Sequence, residues 1–354
     1  MRRVIGIILL SIGFVASGFS QSKNESEISK AVESYISQNG FSGTILVANE
    51  GQPIFHESYG FAYYSTPDTL RKEDCFSIAS ITKLFTSIRI LQLQEEGKLS
   101  LENTINTYLP EYQEYVSNDV SIHHLLLHIS GLPEERGKMY QRRFKPEAWV
   151  KKVLAHRTKS RWGVFNYNNI DYVLLGLIIE RLTGNSWEKE ISDAILTPLK
   201  MSQTGFLEYG YYPQNFAYTF SNGRSGLKQD PLWFIENFYA AGSMYSTASD
   251  LLKLDQALYG EALLSESSKR LLSKSYPEYG YAGYGVWNYD YPFVAARPTI
   301  MERRGKIRGA NVVLVRLTGE KYTLIILSND DRFNPDSYGD PENLREKLIH
   351  VLYK

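Results

Sequence analysis

The sequence is poor in cysteine, because Cys75 is the single one among 354 residues. A lone cysteine cannot form a disulfide within the chain. Cys75 lies between the charged stretch RKED and the apolar stretch FSIAS, so we interpret it as a structural residue rather than a nucleophile. The chain also lacks a G-x-S-x-G motif and a glycine-rich phosphate loop. These absences argue against an α/β-hydrolase and against nucleotide binding.

An excess of charge of either sign is also missing. The 39 basic and 39 acidic residues give a formal net charge of zero. A chain without a basic excess has no electrostatic signature of a nucleic-acid partner or of an anionic membrane surface. With 43% hydrophobic and 22% charged residues, the composition is that of an ordinary globular protein with a sizeable core.

Long apolar runs are scarce, and the one that stands out lies at the N-terminus. The stretch MRRVIGIILLSIGFVASGFSQS has two arginines, an apolar run over residues 4–15 and then small residues. This pattern predicts a secretory signal peptide over residues 1–20, cleaved near residues 18–21, and therefore a periplasmic or extracellular protein. An uncleaved anchor is the alternative. No cysteine follows directly for lipid attachment, and no later segment is apolar enough to span a membrane.

The apolar periodicity predicts strands near both ends and helices between them. Residues 24–39 have helical spacing, and residues 41–65 read as two strands joined by a turn at residues 49–52. The C-terminal part predicts four strands in the stretches 281–289, 299–305, 310–319 and 321–329, followed by a helix over 341–354. We therefore expect an α+β fold, an α/β sandwich whose antiparallel sheet is built from both termini and flanked by helices. The α/β part would comprise about 24–79 and 240–354, with an inserted helical subdomain over about 80–239.

Several boundaries of the central helices have sequence signals. Gly184 is expected to end the apolar helix over residues 170–183. Asn185 and Glu188 have the spacing of a capping box for the next helix, and Thr247 and Asp250 have the same spacing further on.

The stretch CFSIASITKLFTS contains Ser80 and, three residues later, Lys83. Three other S-x-x-K matches occur, so context has to separate them; they are Ser20/Lys23, Ser186/Lys189 and Ser225/Lys228. Ser80 alone begins a long apolar helix, where this spacing puts both side chains on one face. The helix N-terminus favours an oxyanion, and aliphatic neighbours would lower the pKa of Lys83 so that the neutral amine accepts a proton.

A reactive serine also needs a proton shuttle. Tyr167 and Asn169 form the single Y-x-N match in the chain, directly before the apolar helix. A tyrosine close to cationic groups would have a lowered pKa and could act as a base. The alternative interpretation is an asparagine-rich turn without a catalytic role.

His124 and His128 are spaced one helical turn apart, with His123 adjacent. Two histidines at this spacing are a weak metal signal without a third ligand and an acid. We therefore expect neither a metal ion nor another cofactor.

Four blocks together resemble the serine β-lactamase and penicillin-recognising family, in the branch of class C β-lactamases, D,D-carboxypeptidases and related esterases. The blocks occur in the family's order and span most of the chain after the predicted signal; they are FSIASITKLFTS, SIHHLLLHISGLP, GVFNYNNIDYVLLGLIIERLTG and AAGSMYSTASDLLKL. The resemblance implies a single catalytic domain over residues 22–354 with the β-lactamase/transpeptidase-like fold.

The resemblance also implies roles for particular residues. Ser80 would be the acylated nucleophile, and Lys83 would take or hold its proton. Tyr167 would pass the proton to the leaving group and activate water for deacylation. Asn169 would orient Lys83 and bind a substrate amide. Whether the lysine or the tyrosine is the acylation base stays open.

One family motif is missing, because the chain has no K-x-G or H-x-G. The matching stretch is ERRGKIRGANVV, where Arg303 stands in for the lysine or histidine and Gly305 for the glycine. Gly305 would let substrate lie along the strand, and the N–H of Lys306 would be the second oxyanion donor beside that of Ser80. Arg303 keeps the positive charge but cannot release its proton, and it could hold a substrate carboxylate by two hydrogen bonds.

The sequence therefore predicts an exported serine hydrolase that forms an acyl-enzyme with a peptide, β-lactam or ester carbonyl. The alternative is a non-catalytic member of the same fold that binds cell-wall peptide or another partner, suggested by the missing K/H-x-G. The expected partner is a small-molecule or peptide substrate, with no nucleic acid and no stable membrane span after signal cleavage.

Overall fold

The computed structural model describes residues 12–63, 68–156, 160–224 and 226–354, and for residues 12–23 it describes the backbone alone. Residues 1–11, the first part of the predicted signal peptide, lie outside the described residues, and the backbone is helical from Ile12 onward. Within the described ranges, no helix combines the length and the apolar character needed to cross a bilayer.

The strands are short except in the main sheet. They are β1 (Gly43–Asn49), β2 (Gln52–Tyr59), β3 (Phe61–Tyr63), β4 (Asp68–Thr69), β5 (Phe76–Ser77), β6 (Gly205–Phe206), β7 (Phe220–Gly223), β8 (Gly226–Gln229), β9 (Met244–Ser246), β10 (Trp287–Asp290), β11 (Thr299–Ile307), β12 (Ala310–Leu317) and β13 (Tyr322–Ser328).

Helices fill most of the middle of the chain. They are α1 (Ile12–Asn39), α2 (Thr82–Glu95), α3 (Ile105–Tyr108), α4 (Ile122–Leu126), α5 (Pro146–Leu154), α6 (Ile170–Thr183), α7 (Trp187–Ile191), α8 (Ala248–Ala257), α9 (Glu266–Ser273) and α10 (Leu344–Leu352). Short 3₁₀ turns join them at Ala79–Ile81, Pro110–Tyr112, Gly137–Tyr140, Ile235–Ala241 and Pro277–Tyr279, and α7 continues into a π-helical turn at Ser192–Leu196.

The main sheet has six strands in the order β10-β11-β12-β13-β1-β2, and each neighbouring pair is antiparallel. The N-terminal strand β1 pairs with the C-terminal strand β13, so that Leu46 lies opposite Ile325. The predicted α+β fold with an antiparallel sheet built from both termini is confirmed. The subdomain limits at residues 79/80 and 239/240 stay a prediction.

The sheet is buried on both faces because its strands alternate between two cores. In β1, Ile45 and Val47 belong to the core shared with α1 and α10. Leu46 and Ala48 point the other way, into the larger core with the central helices. Successive side chains of a strand point to opposite faces, so one apolar strand serves both layers.

The sequence signals for the helix ends are partly right. Gly184 ends α6 with a φ of 74°, a left-handed conformation that glycine adopts at low cost. Thr247 accepts from the Asp250 N–H at the start of α8, as predicted.

The capping box at Asn185 and Glu188 is wrong. Ser186 caps α7 by accepting from the Lys189 N–H at 3.2 Å. The Asn185 side chain instead donates to Glu190 Oε1 at 2.7 Å. A competing side-chain partner has therefore moved the cap by one residue.

The strand predicted over residues 281–289 is also too long, since the pairing is confined to β10. Tyr281 and Gly285 both have positive φ, at 65° and 76°, which interrupts the extended backbone before β10 begins.

A buried ionic network fixes α10 against β11. The Arg345 guanidinium lies 2.7 Å from Glu302 Oε2, and both side chains are fully buried. Glu302 Oε1 also accepts from the Tyr289 hydroxyl at 2.8 Å and from Arg304 Nε at 2.8 Å. Burial by itself raises the pKa of Glu302, but Arg345 and Arg304 outweigh burial and hold the pKa below its usual value.

We predict that Arg345→Met lowers the free energy of unfolding by about 3–5 kcal/mol, because it removes one partner of a buried ion pair. Lys347→Met on the same helix is the matched control, since Lys347 pairs with the mostly exposed Glu342 and such pairs contribute about 0–1 kcal/mol. Urea denaturation of the three proteins measures the difference. Equal losses in the two variants would contradict the structural role of the network.

Candidate active site

A 3₁₀ turn at Ala79–Ile81 presents Ser80 just before α2 begins at Thr82. The Ile78 N–H donates to Met244 O at 3.0 Å, which ties the turn to β9. Ala79 has a φ of 44°, a left-handed conformation that is uncommon for a residue with a Cβ. Ser80 is half-buried, whereas Lys83 is completely buried one turn further on. The serine hydroxyl is thus the accessible member of the pair.

Gly305 of β11 lies directly against this turn. A Cβ at Gly305 would lie 2.5 Å from Ile78 O and 3.1 Å from Ala79 Cβ. A contact this close with backbone leaves no room for a side chain. The glycine therefore lets the strand pack against the residues that precede Ser80.

Lys83 makes three hydrogen bonds inside the protein. Its Nζ donates to Ser80 Oγ at 3.1 Å, to Asn169 Oδ1 at 2.7 Å and to the carbonyl oxygen of Ala241 at 2.8 Å. The pKa of Lys83 is lowered to about 8, mainly by burial; Tyr167 opposes this shift and Arg303 adds to it. An amine with such a pKa can hold or accept a proton near neutral pH.

Tyr167 completes the contacts of the serine hydroxyl. Its OH lies 2.8 Å from Ser80 Oγ and accepts from Arg303 Nη2 at 2.7 Å. Burial by itself raises the pKa of Tyr167, but the cations Arg303 and Lys83 together outweigh it and lower the pKa. The structure therefore brings Ser80, Lys83 and Tyr167 together, while the roles assigned to them stay predictions.

Asn169 links this group to a carboxylate that sequence reasoning missed. Asn169 Nδ2 donates to Glu135 Oε1 at 2.6 Å, and the Tyr140 hydroxyl donates to the same oxygen at 2.9 Å. Glu135 lies in the segment after α4 and before the 3₁₀ turn at Gly137–Tyr140, next to Glu134, which accepts from Asn166. Two adjacent glutamates with different partners carry no sequence signal that separates them.

Arg303 is buried in the site rather than open to a ligand. Its Nε donates to the carbonyl oxygen of Ser80 at 2.8 Å, its Nη2 donates to Tyr167, and its guanidinium lies 4.9 Å from the centre of the Trp287 ring. The Nε N–H and one N–H of Nη2 therefore have protein acceptors, and the two-point grip on a substrate carboxylate stays a prediction. Because of the strand periodicity, Arg303 points to the site, whereas the adjacent Arg304 pairs with Glu302 on the other face.

The Lys306 side chain is exposed next to Gly305. Its backbone N–H stays the predicted second oxyanion donor.

The histidines have separate partners. Helix α4 ends at Leu126, so His124 and His128 do not share one helical face. His124 Nδ1 accepts from the Ser121 N–H at 3.1 Å, whereas His128 has a φ of 57° and lies 3.3 Å from Asp171 Oδ2. Across the described ranges there is no group of three or more His, Cys, Asp or Glu that could hold a metal ion.

His128 packs against the ring of Tyr167. Its ring centre lies 4.4 Å from that of Tyr167, and Asp171 in turn accepts from the Ser130 hydroxyl at 2.6 Å. Burial lowers the pKa of His128 well below its usual value and raises the pKa of Asp171 well above its own. Both shifts favour the uncharged forms of the two side chains, and the His128 ring packs against Tyr167.

The other sequence candidates lie away from this group. Cys75 is buried, and burial raises the pKa of its thiol to about 11, which fits a structural cysteine. Ser186 is a helix cap, and Lys189 pairs with Asp193 on the surface. Ser225 and the side chains of Ser20 and Lys23 lie outside the described residues.

Comparisons with known proteins extend over most of the chain. The sequence is 28% identical over 318 residues to penicillin-binding protein 4* of Bacillus subtilis, covering 82% of this chain and 68% of the relative. It is 26% identical over 316 residues to the teichoic acid D-alanine hydrolase of Staphylococcus aureus, covering 85% and 73%.

Solved structures share the fold. The D-amino acid amidase of Ochrobactrum anthropi SV3, complexed with D-phenylalanine, matches with a TM-score of 0.79 at 20% identity over 93% of this chain and 99% of its own. FmtA from Staphylococcus aureus matches with a TM-score of 0.76 at 23% identity, over 92% and 89%.

The Beta-lactamase family matches residues 28–349, which include Ser80, Lys83 and Tyr167. The chain belongs to the Beta-lactamase family, among relatives that include penicillin-binding proteins and a teichoic acid D-alanine hydrolase.

Proposed function

We propose that this protein is an exported serine hydrolase that forms an acyl-enzyme at Ser80. The observation that carries the proposal is the setting of Ser80 Oγ, which lies within hydrogen-bond distance of both the Lys83 amine and the Tyr167 phenol. Both partners have lowered pKa values, so either can accept the hydroxyl proton. Export rests on the N-terminal sequence pattern alone.

The acylation step follows from these contacts. A neutral Lys83 amine or a Tyr167 phenolate takes the proton of Ser80 as its Oγ attacks the carbonyl carbon. The oxyanion that forms would be held by the backbone N–H groups of Ser80 and Lys306. Tyr167 then delivers a proton to the leaving nitrogen or oxygen, and the carbonyl–leaving-group bond breaks to give the acyl-serine ester. If Lys83 took the serine proton, Tyr167 gives its own phenolic proton and regains one from Lys83.

Deacylation uses the same groups in reverse. Water takes the place of the leaving group, Tyr167 removes its proton, and the ester breaks to return the hydroxyl of Ser80. Arg303 stays charged throughout. Its contribution is to favour the phenolate form of Tyr167 through the hydrogen bond from Nη2.

The substrate is proposed to be a D,D-peptide or a related ester, with β-lactams as a further possibility within the same chemistry. The names of the relatives support this class, because a D-alanine hydrolase and a D-amino acid amidase both act next to a D-configured carbon. The Asn169 side chain already bonds to Lys83 and Glu135. Only the rest of its hydrogen-bonding capacity would serve to bind a substrate amide.

Arg303 also supports the second candidate, a protein of this fold that binds cell-wall peptide or another partner without turnover. Its guanidinium replaces the lysine or histidine of the family motif and cannot relay a proton.

Covalent labelling separates the two candidates. We predict that a fluorophosphonate or a fluorescent penicillin adds its mass to the intact protein and that Ser80→Ala abolishes the adduct. Ser186→Ala, in another S-x-x-K match, is the matched control and should label like the wild type. An unlabelled wild-type protein with both probes would favour the non-catalytic candidate.

The two proton-transfer groups should each matter for turnover. We predict that Lys83→Ala and Tyr167→Phe each lower kcat at least ~100-fold, the usual scale for a general acid–base group. Lys189→Ala serves as the control, because Lys189 is exposed and pairs only with surface groups. Near-normal turnover of either site variant would remove that residue from the mechanism.

The rate should rise with pH through the range in which Lys83 loses its proton, at about 8. The charged and titratable groups facing Lys83 are Tyr167, Arg303, Glu135 and the pair His128–Asp171. The negative charge of Glu135 raises the pKa of Lys83, so Glu135→Gln should move the acidic limb of kcat/KM to lower pH. Glu134→Gln should leave this limb in place, and a shift to higher pH in Glu135→Gln would contradict the electrostatic role.

A further inference from the structure

A cationic pocket is formed by the 3₁₀ turn at Gly137–Tyr140, the segment after it and α5. We use the name cationic pocket for the cavity of about 660 Å³ of empty space, open to solvent, that is lined by Lys138, Met139, Gln141, Arg142, Phe144 and Lys152. Three of these six residues are cations, and no described residue of the lining is acidic. The charge is local, because residues 136–152 contain seven basic residues and one acidic residue in a chain whose net charge is zero.

The cations of the pocket have no carboxylate partner. Within the described part of the chain none of the three forms an ion pair, and two of them lie over the Phe144 ring, with the Arg142 guanidinium carbon 4.8 Å and the Lys152 amine 5.5 Å from its centre. The neighbouring Arg143 differs, because its Nε lies 2.8 Å from Glu236 Oε1. Like charges around one cavity repel each other, and an anion in the cavity would relieve this repulsion.

A buried asparagine fixes the backbone that carries these side chains. Asn237 is only 4% exposed, and its Nδ2 donates to the carbonyl oxygens of Met139 at 2.8 Å and Arg142 at 2.7 Å. Its Oδ1 accepts from the Phe144 N–H at 3.0 Å. One side chain therefore holds the loop at three points. A loop held in this way loses little conformational freedom when a ligand binds, whereas a free loop would have to be ordered.

The frame of the pocket is shared with the candidate active site. Asn237 lies in the 3₁₀ segment Ile235–Ala241, whose last carbonyl accepts from Lys83. Replacing Asn237 would therefore disturb both places. The exposed Arg142 side chain can be replaced without removing any of these hydrogen bonds, because only its backbone carbonyl takes part in them.

The composition of the pocket favours a phosphate over a carboxylate. The arginine offers a planar fork that matches two oxygens, while the lysines offer point charges from two separate elements, Lys138 from the 3₁₀ turn and Lys152 from α5. A tetrahedral phosphate has oxygens for all three cations, whereas a planar carboxylate has only two. The cavity is also larger than a phosphate ion, so it leaves room for the group to which the phosphate is attached.

We propose that the cationic pocket binds a phosphate group held by Lys138, Arg142 and Lys152. The inference goes beyond the proposed hydrolysis and does not depend on it, because no lining residue takes part in acyl transfer at Ser80. A soluble phosphate ester and the headgroup of a phospholipid both present such a group.

Calorimetry at low ionic strength tests the proposal at about pH 8, where inorganic phosphate is mostly a dianion. We expect saturable binding of inorganic phosphate to the wild type, and binding of malonate, a dicarboxylate of the same charge, that is at least ~5-fold weaker. Arg142→Gln and Lys152→Gln should each weaken phosphate binding at least ~5-fold. Their sequence neighbours are the matched controls, because Arg143→Gln and Lys151→Gln remove the same charge outside the lining and should change the Kd by less than ~2-fold.

Two results would overturn the proposal. One is the lack of saturable phosphate binding by the wild type. The other is an equal loss in the pocket variants and in their neighbours, because the attraction would then follow the net charge of the surface rather than the cavity. Malonate binding as tight as that of phosphate would overturn the assignment to phosphate.

Co-sedimentation with vesicles distinguishes the two sources of the phosphate. Phosphatidylglycerol vesicles present an anionic phosphodiester, and neutral phosphatidylcholine vesicles are the control. Sedimentation with phosphatidylglycerol that Arg142→Gln abolishes and Arg143→Gln retains would support a lipid headgroup. Wild-type protein that binds inorganic phosphate but stays in the supernatant would support a soluble phosphate ester. Sedimentation that both variants retain would overturn the headgroup as the ligand of this pocket.

Discussion

The site depends on the complete burial of the Lys83 ammonium group. A buried cation is costly unless its donors find acceptors, and here the three donors reach Ser80 Oγ, Asn169 Oδ1 and the Ala241 carbonyl. These acceptors come from the 3₁₀ turn before α2, from the residue before α6 and from the segment before β9. A single side chain therefore requires three separate parts of the chain to be in place at once. The same burial lowers the pKa of the Lys83 amine. The free-energy cost of burying the cation and the lowered pKa therefore have one cause.

Arg303 changes the electrostatics around that lysine. A second permanent cation beside Lys83 lowers the pKa of the amine further and favours the phenolate form of Tyr167. Glu135 acts in the opposite sense, since its negative charge raises the pKa of Lys83. The site thus contains two cations and one carboxylate within one hydrogen-bonded network. Arg303, in the place of the lysine or histidine of the family motif, thus adds a permanent positive charge to this network.

The sequence predicts the local parts of this arrangement and misses the distant ones. Ser80 and Lys83 are fixed relative to each other by one helical turn, so their spacing is visible in the sequence. The fold class follows from apolar alternation, which reports burial whatever the partner strand is. The contact of Asn169 with Glu135 joins residues 34 positions apart in sequence, and no local pattern marks it. The capping error at Asn185 has the same origin, because Glu190 competes for its side chain.

The contacts of Arg303 also have a tertiary origin. Its residue type permits two hydrogen bonds to a carboxylate, but the strand directs it towards the Ser80 carbonyl and Tyr167. Residue type limits what a side chain can bind, while the neighbours decide what it does bind. The position of Gly305 was informative at the sequence level, because the need for close backbone approach does not depend on distant partners.

Alternate residues of strand β11 face either the ionic network with α10 or the candidate active site. On one face, Glu302 and Arg304 join the ionic network with α10. On the other, Arg303 and Gly305 meet the 3₁₀ turn that presents Ser80. Because alternate residues serve opposite faces, the face towards the site can vary without disturbing the anchor behind it. The arginine at position 303 is therefore compatible with an intact sheet, because it lies on the face opposite the ionic network with α10.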